Sequence, residues 1–374
     1  MDRIIGEREA KRAAMDRMKR EYGIIVRQEE PSRLMFSMES DGMELELASR
    51  AAAMRRNPPA AIAGRPPCMA DIARVETGLI SAISAKEERS AGLAAKLVSG
   101  ALEYQNQMQV PVCLAEPDSA VSGADFLEGF GFQYIYDRPR YVLNTGTISV
   151  KMLERAARGE SVSLDIPDMT LRSVVREDML SLAHFVNARL CRQYGFFLIR
   201  SASYYERVQE KLLDRGGSLF QVMENGIRKG YFASVDIASG SIGEAVFAQD
   251  FDRECYLLTE KGKRPAIMAR IVNLPEMLRH VAGNGKITIA LRISDPVIAE
   301  NDGMFLWYLD EDGSRMERVE EQDGAPEVTA TIGAFTAFIF EYMVEYMDAH
   351  MKWKQNAKFD SIYLAGPAFL TEGL

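Results

Sequence analysis

The stretch that decides the fold reads Arg-Ser-Ala-Gly-Leu-Ala over residues 89–94. An apolar run, Leu79-Ile-Ser-Ala-Ile-Ser84, precedes it, and Ala95-Lys-Leu-Val-Ser-Gly-Ala-Leu102 follows it. This order predicts a strand, a turn of small residues and a helix, which together present free backbone N–H groups to a phosphate. Small side chains let a bulky anion approach the backbone, and the arginine adds a fixed charge beside it. An ordinary tight turn between a strand and a helix would show the same short pattern, so the surrounding sequence must decide.

The composition is that of a globular protein of two or three domains. The chain has 374 residues, of which 47% are hydrophobic and 26% are charged, values typical of soluble proteins. No apolar run approaches the roughly 20 residues that a membrane-spanning helix needs. The start, Met1-Asp-Arg-Ile-Ile-Gly-Glu-Arg8, lacks the apolar region of a signal peptide. We therefore expect a cytoplasmic protein that does not insert into a membrane.

The cysteine pattern and the charge limit the chemistry. Four cysteines without a C-x-x-C pair, and only three histidines, make a disulfide framework or a metal site improbable and predict buried free thiols. The net charge of −9 argues against general binding of nucleic acid. It suits either a cationic acceptor such as an amine, attracted at long range, or simple solubility. The cysteines are Cys68, Cys113, Cys191 and Cys255.

Residues 1–150 are predicted to form a first domain, which contains the 89–94 loop. A charged helix comes first, then a hairpin with Asp41-Gly42 as its turn, and then a proline-rich loop. Two strands flank the loop and its helix, and a short helix then leads into a further strand. The predicted ranges are helix 7–22, hairpin 34–47, strand 77–84, helix 95–107, strand 110–115, helix 125–132 and strand 133–136.

Two further domains are predicted at 151–284 and 285–374. The second contains a hairpin with an Asn225-Gly226 turn but no loop of the 89–94 kind. In the third, an alternating strand at 286–294 is followed by a strand that runs into an apolar helix at 326–342. Aromatic residues and methionines of that helix indicate either an ordinary core or the lining of a lipid tunnel. These residues are Phe335, Phe338, Phe340, Met343 and Met347.

The second domain has its own predicted elements. They are a strand at 169–174, helices at 178–190 and 204–213, and the hairpin at 219–236.

The pattern Arg-x-x-Gly-x-Ala resembles the pyrophosphate loop of the GNAT acyl-CoA N-acetyltransferases. Over most of its length, and least over its diverged first 60 residues, the chain resembles the Eis-like acetyltransferases. This resemblance implies an α+β protein in which two tandem GNAT-type mixed-sheet domains are followed by a sterol-carrier-protein-like α/β domain. The segments that carry it most clearly are 89–94, 130–136, 263–274, 293–303 and 369–372.

The resemblance also implies an activity and its co-substrate. It implies an N-acetyltransferase that moves acetyl from acetyl-CoA to a primary amine, either an aminoglycoside-like polyamine or a protein lysine, and a homo-oligomer. The strands at 77–84 and 110–115 would splay apart, with the thioester between them and the backbone of Ile83 and Ser84 on the pantetheine arm. The residues implied for the pyrophosphate are Arg89, Ser90, Ala91, Gly92, Leu93 and Ala94.

The catalytic positions implied by the resemblance include one departure. The terminal carboxylate, here that of Leu374, would act as the base, unless this end is merely packed. Leu127 occupies the position of the tyrosine that protonates the departing thiolate, and leucine cannot donate a proton. Either Tyr134, Tyr136 or water substitutes for it, or the domain binds CoA without good turnover. Glu116 would orient the acceptor amine, or is a solvated acid at the end of a strand.

Two other classes of function stay open at this point. One is a non-catalytic protein whose third domain carries an apolar ligand, and Leu127 favours it. The other is a scaffold, against which the intact Arg89, Gly92 and Ala94 argue.

Overall fold

The structure is a computed structural model and describes residues 2–38, 43–55, 67–84, 91–117, 123–249, 251, 257–320, 325–342, 350–354 and 359–371. The chain divides into two units. The first comprises Met1–Tyr136, Tyr194–Phe197 and Ala266–Ala368, and the second comprises Asp137–Gln193, Leu198–Pro265 and Phe369–Leu374. The first unit therefore joins an early and a late segment of the chain. The division at 1–150, 151–284 and 285–374 remains a prediction.

The first unit contains a sheet built from five consecutive strands and the end of a later one. The strands are β1 (Ile24–Glu30), β2 (Arg33–Met38), β3 (Glu44–Arg55), β4 (Ile72–Ser84), β5 (Val112–Ala115) and the last residues of β13 (Leu258–Ile271). They lie in that order, and their pairings are antiparallel except for the parallel pair β4–β5. The predicted hairpin is confirmed as β2–β3, with its Asp41-Gly42 turn outside the described residues. Strand β1 was not predicted.

Three helices pack against one face of this sheet. They are α1 (Asp2–Arg17), which continues as a π-helix over Met18–Tyr22, α2 (Ala91–Gln107) and α3 (Ala124–Glu128). The predicted charged helix is therefore confirmed. One apolar core joins the helices to the strands, and its members include Leu97 and Val98 of α2 together with Ile80 of β4. Gly78 permits the close approach of α2 to β4, because a Cβ there would lie 1.9 Å from Oε1 of Gln105.

The later residues of the first unit form a second sheet. Its strands are β15 (Ile287–Ser294), β16 (Gly303–Asp310), β17 (Gly313–Val319), β18 (Val328–Thr331) and β19 (Met351–Trp353), in the order β17-β16-β15-β18-β19. Helix α8 (Ile332–Ile339) follows β18, and the Thr331 side chain caps it by accepting a bond from the N–H of Ala334 at 3.2 Å. The predicted strand at 286–294 and the strand running into an apolar helix are confirmed.

The second unit is a mixed α/β unit with an antiparallel sheet. It contains the end of β6 (Gln133–Leu143), then α4 (Val150–Ala157), β7 (Val162–Ser163), β8 (Met169–Ser173), α5 (Met179–Gln193), α6 (Ala202–Leu213), β10 (Ser218–Glu224), β11 (Ile227–Asp236) and β12 (Ser241–Phe247). The predicted hairpin is confirmed as β10–β11. Asn225 and Gly226 have φ of 50° and 77°, as a two-residue hairpin turn of this kind requires.

The remaining elements are short. They are β9 (Phe196–Leu198), α7 (Leu274–Leu278), β14 (Ala282–Gly283), β20 (Ile362–Tyr363), β21 (Ala368–Phe369) and 3₁₀ helices at Met69–Asp71, Arg176–Asp178 and Phe359–Ser361. Among the helices that the structure describes, none combines the length and the apolar character needed to cross a membrane.

Candidate active site

Strands β4 and β5 separate where β5 ends. Their parallel register runs from Thr77 beside Val112 to Ile80 beside Ala115, after which β4 continues to Ser84 beyond the end of β5. A cavity of about 70 Å³ lies at this divergence. The described residues thus show β4 running past the end of β5 with a cavity at that point, and the splay between the two strands stays a prediction. The cavity is lined by Ile80, Ser81, Ala82, Ile83, Ala115, Glu116 and Leu127.

Beyond Ile80, the described strand pairs bond the backbone of β4 along one edge only. Strand β3 pairs with it there, with Leu45 opposite Ile83 and Glu44 opposite Ser84. On the other side the described register with β5 stops at Ile80. Because N–H and C=O groups of a strand point alternately to its two edges, this free edge can bond the amides of an extended ligand. Ile83 lies in the cavity lining and Ser84 ends the strand, and their contacts to pantetheine stay a prediction.

The predicted anion loop is described only from Ala91 onwards, where α2 begins. Arg89 and Ser90 lie outside the described residues. The N–H groups of Ala91, Gly92, Leu93 and Ala94 form the first turn of a helix of 17 residues, and such groups have no acceptor within their own helix. Gly92 is exposed with open space around it, whereas the side chain of Ala94 is fully buried in the core. This turn thus offers backbone donors rather than side chains to an anion.

Leu127 is one of the residues that line the cavity. Its side chain is fully buried, belongs to the core and lines the cavity, so the position implied for a tyrosine is filled by an aliphatic group. Tyr134, on β6, is half-buried against the same core, and its pKa is raised by burial and by the charges of Glu128 and Asp125. Tyr136 is buried, and neither tyrosine is among the residues that line this cavity.

Of the two carboxylates predicted for the site, the structure describes that of Glu116 and not that of Leu374. Glu116 follows β5 directly, is exposed and lines the cavity. Leu374 lies outside the described residues. Thr371, the last described residue, is in the second unit, where its hydroxyl accepts a bond from Arg200 and its carbonyl accepts one from Tyr204.

The sequence analysis missed a serine that lines the cavity, Ser81, and its hydrogen-bond partner Glu46. The Ser81 hydroxyl donates to Oε1 of Glu46 at 2.7 Å, and Glu46 lies on β3. Arg33 of β2 approaches the same oxygen at 3.3 Å. The alternation Glu44-Leu-Glu-Leu47 signals that Glu46 projects from the polar face of its strand, but nothing in the sequence pairs it with Ser81.

The cysteine nearest this site is not a nucleophile. Cys113 of β5 is fully buried, and burial raises the pKa of its thiol to about 12. Cys191 is buried too, as predicted, whereas Cys68 is exposed and the prediction of a buried thiol is wrong there. Cys68 immediately precedes a short 3₁₀ turn rather than lying within a strand or helix of the core. Cys255 lies outside the described residues.

Comparison with known proteins identifies the fold. No protein-family model matches the sequence, and no curated protein sequence matches it. Solved structures do match over nearly the whole chain. A GCN5-related N-acetyltransferase from Anabaena variabilis has a TM-score of 0.57 at 14% identity and covers 87% of this chain and 84% of its own.

Two further structures show the same likeness. A protein of unknown function from Enterococcus faecalis, described as a probable N-acyltransferase, has a TM-score of 0.59 at 13% identity and covers 92% of each chain. Eis1 from Mycobacterium abscessus has a TM-score of 0.57 at 12% identity and covers 95% of this chain and 93% of its own. The chain therefore has the fold of GCN5-related N-acetyltransferase structures, among them an Eis protein, as the sequence resemblance predicted.

Proposed function

We propose that this protein is an acyl-CoA-dependent N-acyltransferase that moves acetyl from acetyl-CoA to a primary amine. The observation that carries the proposal is the cavity at the divergence of β4 and β5, followed in the chain by the N-terminus of α2. The fold, shared with N-acetyltransferase structures, supports the same activity.

The acyl-CoA would lie along the free edge of β4. The backbone at Ile83 and Ser84 would bond the amides of the pantetheine arm, as an adjacent strand would. The first turn of α2, Ala91–Ala94, would hold the pyrophosphate through its N–H groups, with Arg89 and Ser90 completing the loop. A helix N-terminus favours such an anion through both its free donors and its dipole.

The cavity suits a short acyl group. Ile80, Ile83, Ala115 and Leu127 give it an aliphatic wall, which suits the acetyl group of the proposed co-substrate. A thioester needs less help than most substrates, since a thiol of pKa about 8.5 leaves as a thiolate without prior protonation. Leu127 is therefore compatible with turnover, at a rate below that of a site with a well-placed acid.

The acceptor is proposed to be a cationic amine, an aminoglycoside-like polyamine or a protein lysine. Glu116 stands at the cavity mouth, and the net charge of −9 would attract such a substrate at long range. The carboxylate of Leu374 as base, Tyr136 as a substitute acid, the sterol-carrier-protein-like third domain, the homo-oligomer and the cytoplasmic location are kept as parts of this proposal.

The second candidate is a protein of the same fold that binds acyl-CoA or a lipid without good turnover. The buried leucine at position 127 favours it, because no proton donor stands at that point of the cavity wall. In the predicted third domain, 285–374, aromatic side chains pack on one another, with the ring centroids of Trp307 and Phe335 5.9 Å apart. That packing favours an ordinary core over a lipid tunnel.

The test combines calorimetric binding of acetyl-CoA with acetyl-CoA-dependent thiol release across a panel of polyamines and lysine peptides. We expect saturable binding that the change Gly92→Glu weakens at least tenfold, because a carboxylate at the start of α2 would repel the pyrophosphate. Gly6→Glu is the matched control, since Gly6 is also a helical glycine with open space around it.

The outcomes separate the candidates. Binding with acceptor-dependent release supports the transferase, and binding without release supports the second candidate. Absence of acetyl-CoA binding, or equal effects of Gly92→Glu and Gly6→Glu, would contradict the proposed site.

A further inference from the structure

Ser81 occupies an irregular point of β4 beside the cavity. Glu46 of β3 is opposite Ala82 and Leu47 is opposite Ile80, so Ser81 is an extra residue, a β-bulge, between two paired positions. A bulge redirects the side chain that it carries. Here the hydroxyl of Ser81 donates to Oε1 of Glu46 at 2.7 Å, while Ser81 itself lines the cavity.

The charged groups around Glu46 fix its carboxylate. Arg33, on the neighbouring strand β2, lies 3.3 Å from the same Oε1. Glu44 precedes Glu46 by two residues on β3 and therefore shares its face, and Glu116, which follows β5, also lines the cavity. Glu46 is half-buried, so its carboxylate is accessible to water and can return a proton to solvent.

We propose that Ser81 and Glu46 take the proton from the acceptor amine, in place of the Leu374 carboxylate, which is the alternative base for this step. This inference rests on the proposed function, and it names a catalytic residue on the cavity wall, Ser81, with Glu46 acting through it. The position of Ser81 carries the argument, because this residue lines the cavity in which the proposed function places the thioester.

In the proposed reaction the acceptor nitrogen loses two protons, one before and one after it attacks the thioester. The acceptor ammonium gives one proton to Oγ of Ser81 as the Ser81 proton passes to Oε1 of Glu46, which leaves a neutral amine. The amine nitrogen attacks the thioester carbon, the C–N bond forms, and the C–S bond breaks with its electron pair going to sulfur. The second proton on nitrogen passes to the CoA thiolate to give the thiol. Glu46 then releases its proton to solvent.

The test compares kcat/KM for the acceptor from pH 6.5 to 10 in variants of the full chain. We expect Glu46→Gln to lower kcat/KM about 100-fold near neutral pH, within the range of general-base catalysis, and the deficit to shrink towards pH 10. There the amine, whose ordinary pKa is about 10.4, is increasingly neutral without help. Glu44→Gln removes the same charge from the same face and should change kcat/KM less than about threefold.

The serine is tested separately. Ser81→Ala should reproduce the pH-dependent deficit of Glu46→Gln, and Ser81→Thr, which keeps a hydroxyl, should restore most of the activity. Affinity for acetyl-CoA, measured by calorimetry, should be the same in all four variants, which shows that they are folded and that the co-substrate site is intact.

Two results would overturn the inference while leaving the proposed function in place. One is full activity of Glu46→Gln or Ser81→Ala, and the other is a deficit that stays constant across the pH range. If the unaltered protein binds acetyl-CoA but releases no thiol with any amine, the proposed transferase itself fails, and this inference fails with it.

Discussion

Asp295 and Arg270 form a fully buried ion pair within the first unit, with Nη2 of the arginine 2.6 Å from each carboxylate oxygen. Arg270 lies at the end of β13, beside β5, and its Nη1 also donates to the carbonyl of Phe130, three residues after Leu127. Asp295 follows β15, and its Oδ1 accepts bonds from the N–H groups of Val297 and Ile298. The pair therefore fastens the later sheet of this unit to the strands and the turn that form the cavity.

Breaking this pair should cost stability. Asp295→Asn keeps the shape of the side chain but leaves the Arg270 charge buried without a counter-charge, and we expect a loss of about 3 kcal/mol in the free energy of unfolding. Chemical denaturation measures it. Glu317→Gln, which removes the partner of Arg315 in an exposed pair 3.8 Å apart, should change the free energy by less than about 1 kcal/mol. Equal losses in the two variants would contradict the role given to Asp295.

A second prediction concerns the contact between α2 and β4. In Gly78→Ala the new methyl would meet Oε1 of Gln105, and the Gln105 amide is held by the Ala101 carbonyl at 3.2 Å and by Cys113 Sγ at 3.3 Å. We expect a loss of about 1–3 kcal/mol in the free energy of unfolding. The double variant with Gln105→Ala should lose less than the two single variants added together. Gly92→Ala, made in open space on α2, should be neutral or slightly stabilising.

Local patterns were enough for much of the fold. Asn225-Gly226 between two apolar strands specifies its own turn, and the strand β4 and the helix α2 follow from periodicity. Strand β1 was missed because Ile24–Glu30 ends in four exposed polar residues, Arg-Gln-Glu-Glu, and does not alternate. Its pairing with β2 gives it an extended form that its own sequence does not dictate.

The site was predictable in outline but not in its contacts. Ile83, Glu116 and Leu127 were placed near the splay by strand ends and by family resemblance, and all three line the cavity. The bond between Ser81 and Glu46 could not be read from the sequence, because it joins residues 35 positions apart. It also depends on a bulge that changes which face Ser81 occupies, and single-sequence periodicity does not reveal bulges.

The cavity wall suggests a gain-of-function change. If the proposed function is correct, Leu127→Tyr would place a phenolic hydroxyl at the position that the resemblance implies for the acid, so kcat should rise roughly tenfold, a modest share of the usual effect of a positioned acid. Leu127→Phe is the matched control, since it adds the same ring without the hydroxyl and should not raise kcat. Steady-state thiol release gives both values, and the KM for acetyl-CoA should be similar in the two variants. A rise in kcat in both variants would point to a change of cavity shape instead of an acid.

The thiols give a final prediction, in which burial and pKa act together. Burial raises the pKa of Cys113 to about 12, so at pH 8 only about one thiol in 10,000 is ionised, even before access is considered. Cys68 is exposed, and iodoacetamide at pH 8 should modify it at least 1,000-fold faster than Cys113, as measured by peptide mass spectrometry. Rapid labelling of Cys113 in the folded protein would contradict its burial.

The raised pKa of Cys113 also predicts how the stability of the folded protein changes with pH. The folded-state pKa of Cys113 lies above its ordinary value of 9.0, so the folded state favours the protonated thiol. Its contribution is therefore fully present below about pH 9 and is lost as the pH rises from 9 towards 12. Burial also raises the pKa of Tyr104 to about 12 from 10.0, which adds a loss in the same direction above pH 10. The midpoint of thermal unfolding should accordingly fall between pH 9 and 11, and Cys113→Ala should show a shallower fall than the unaltered chain even though its midpoint at pH 8 is lower.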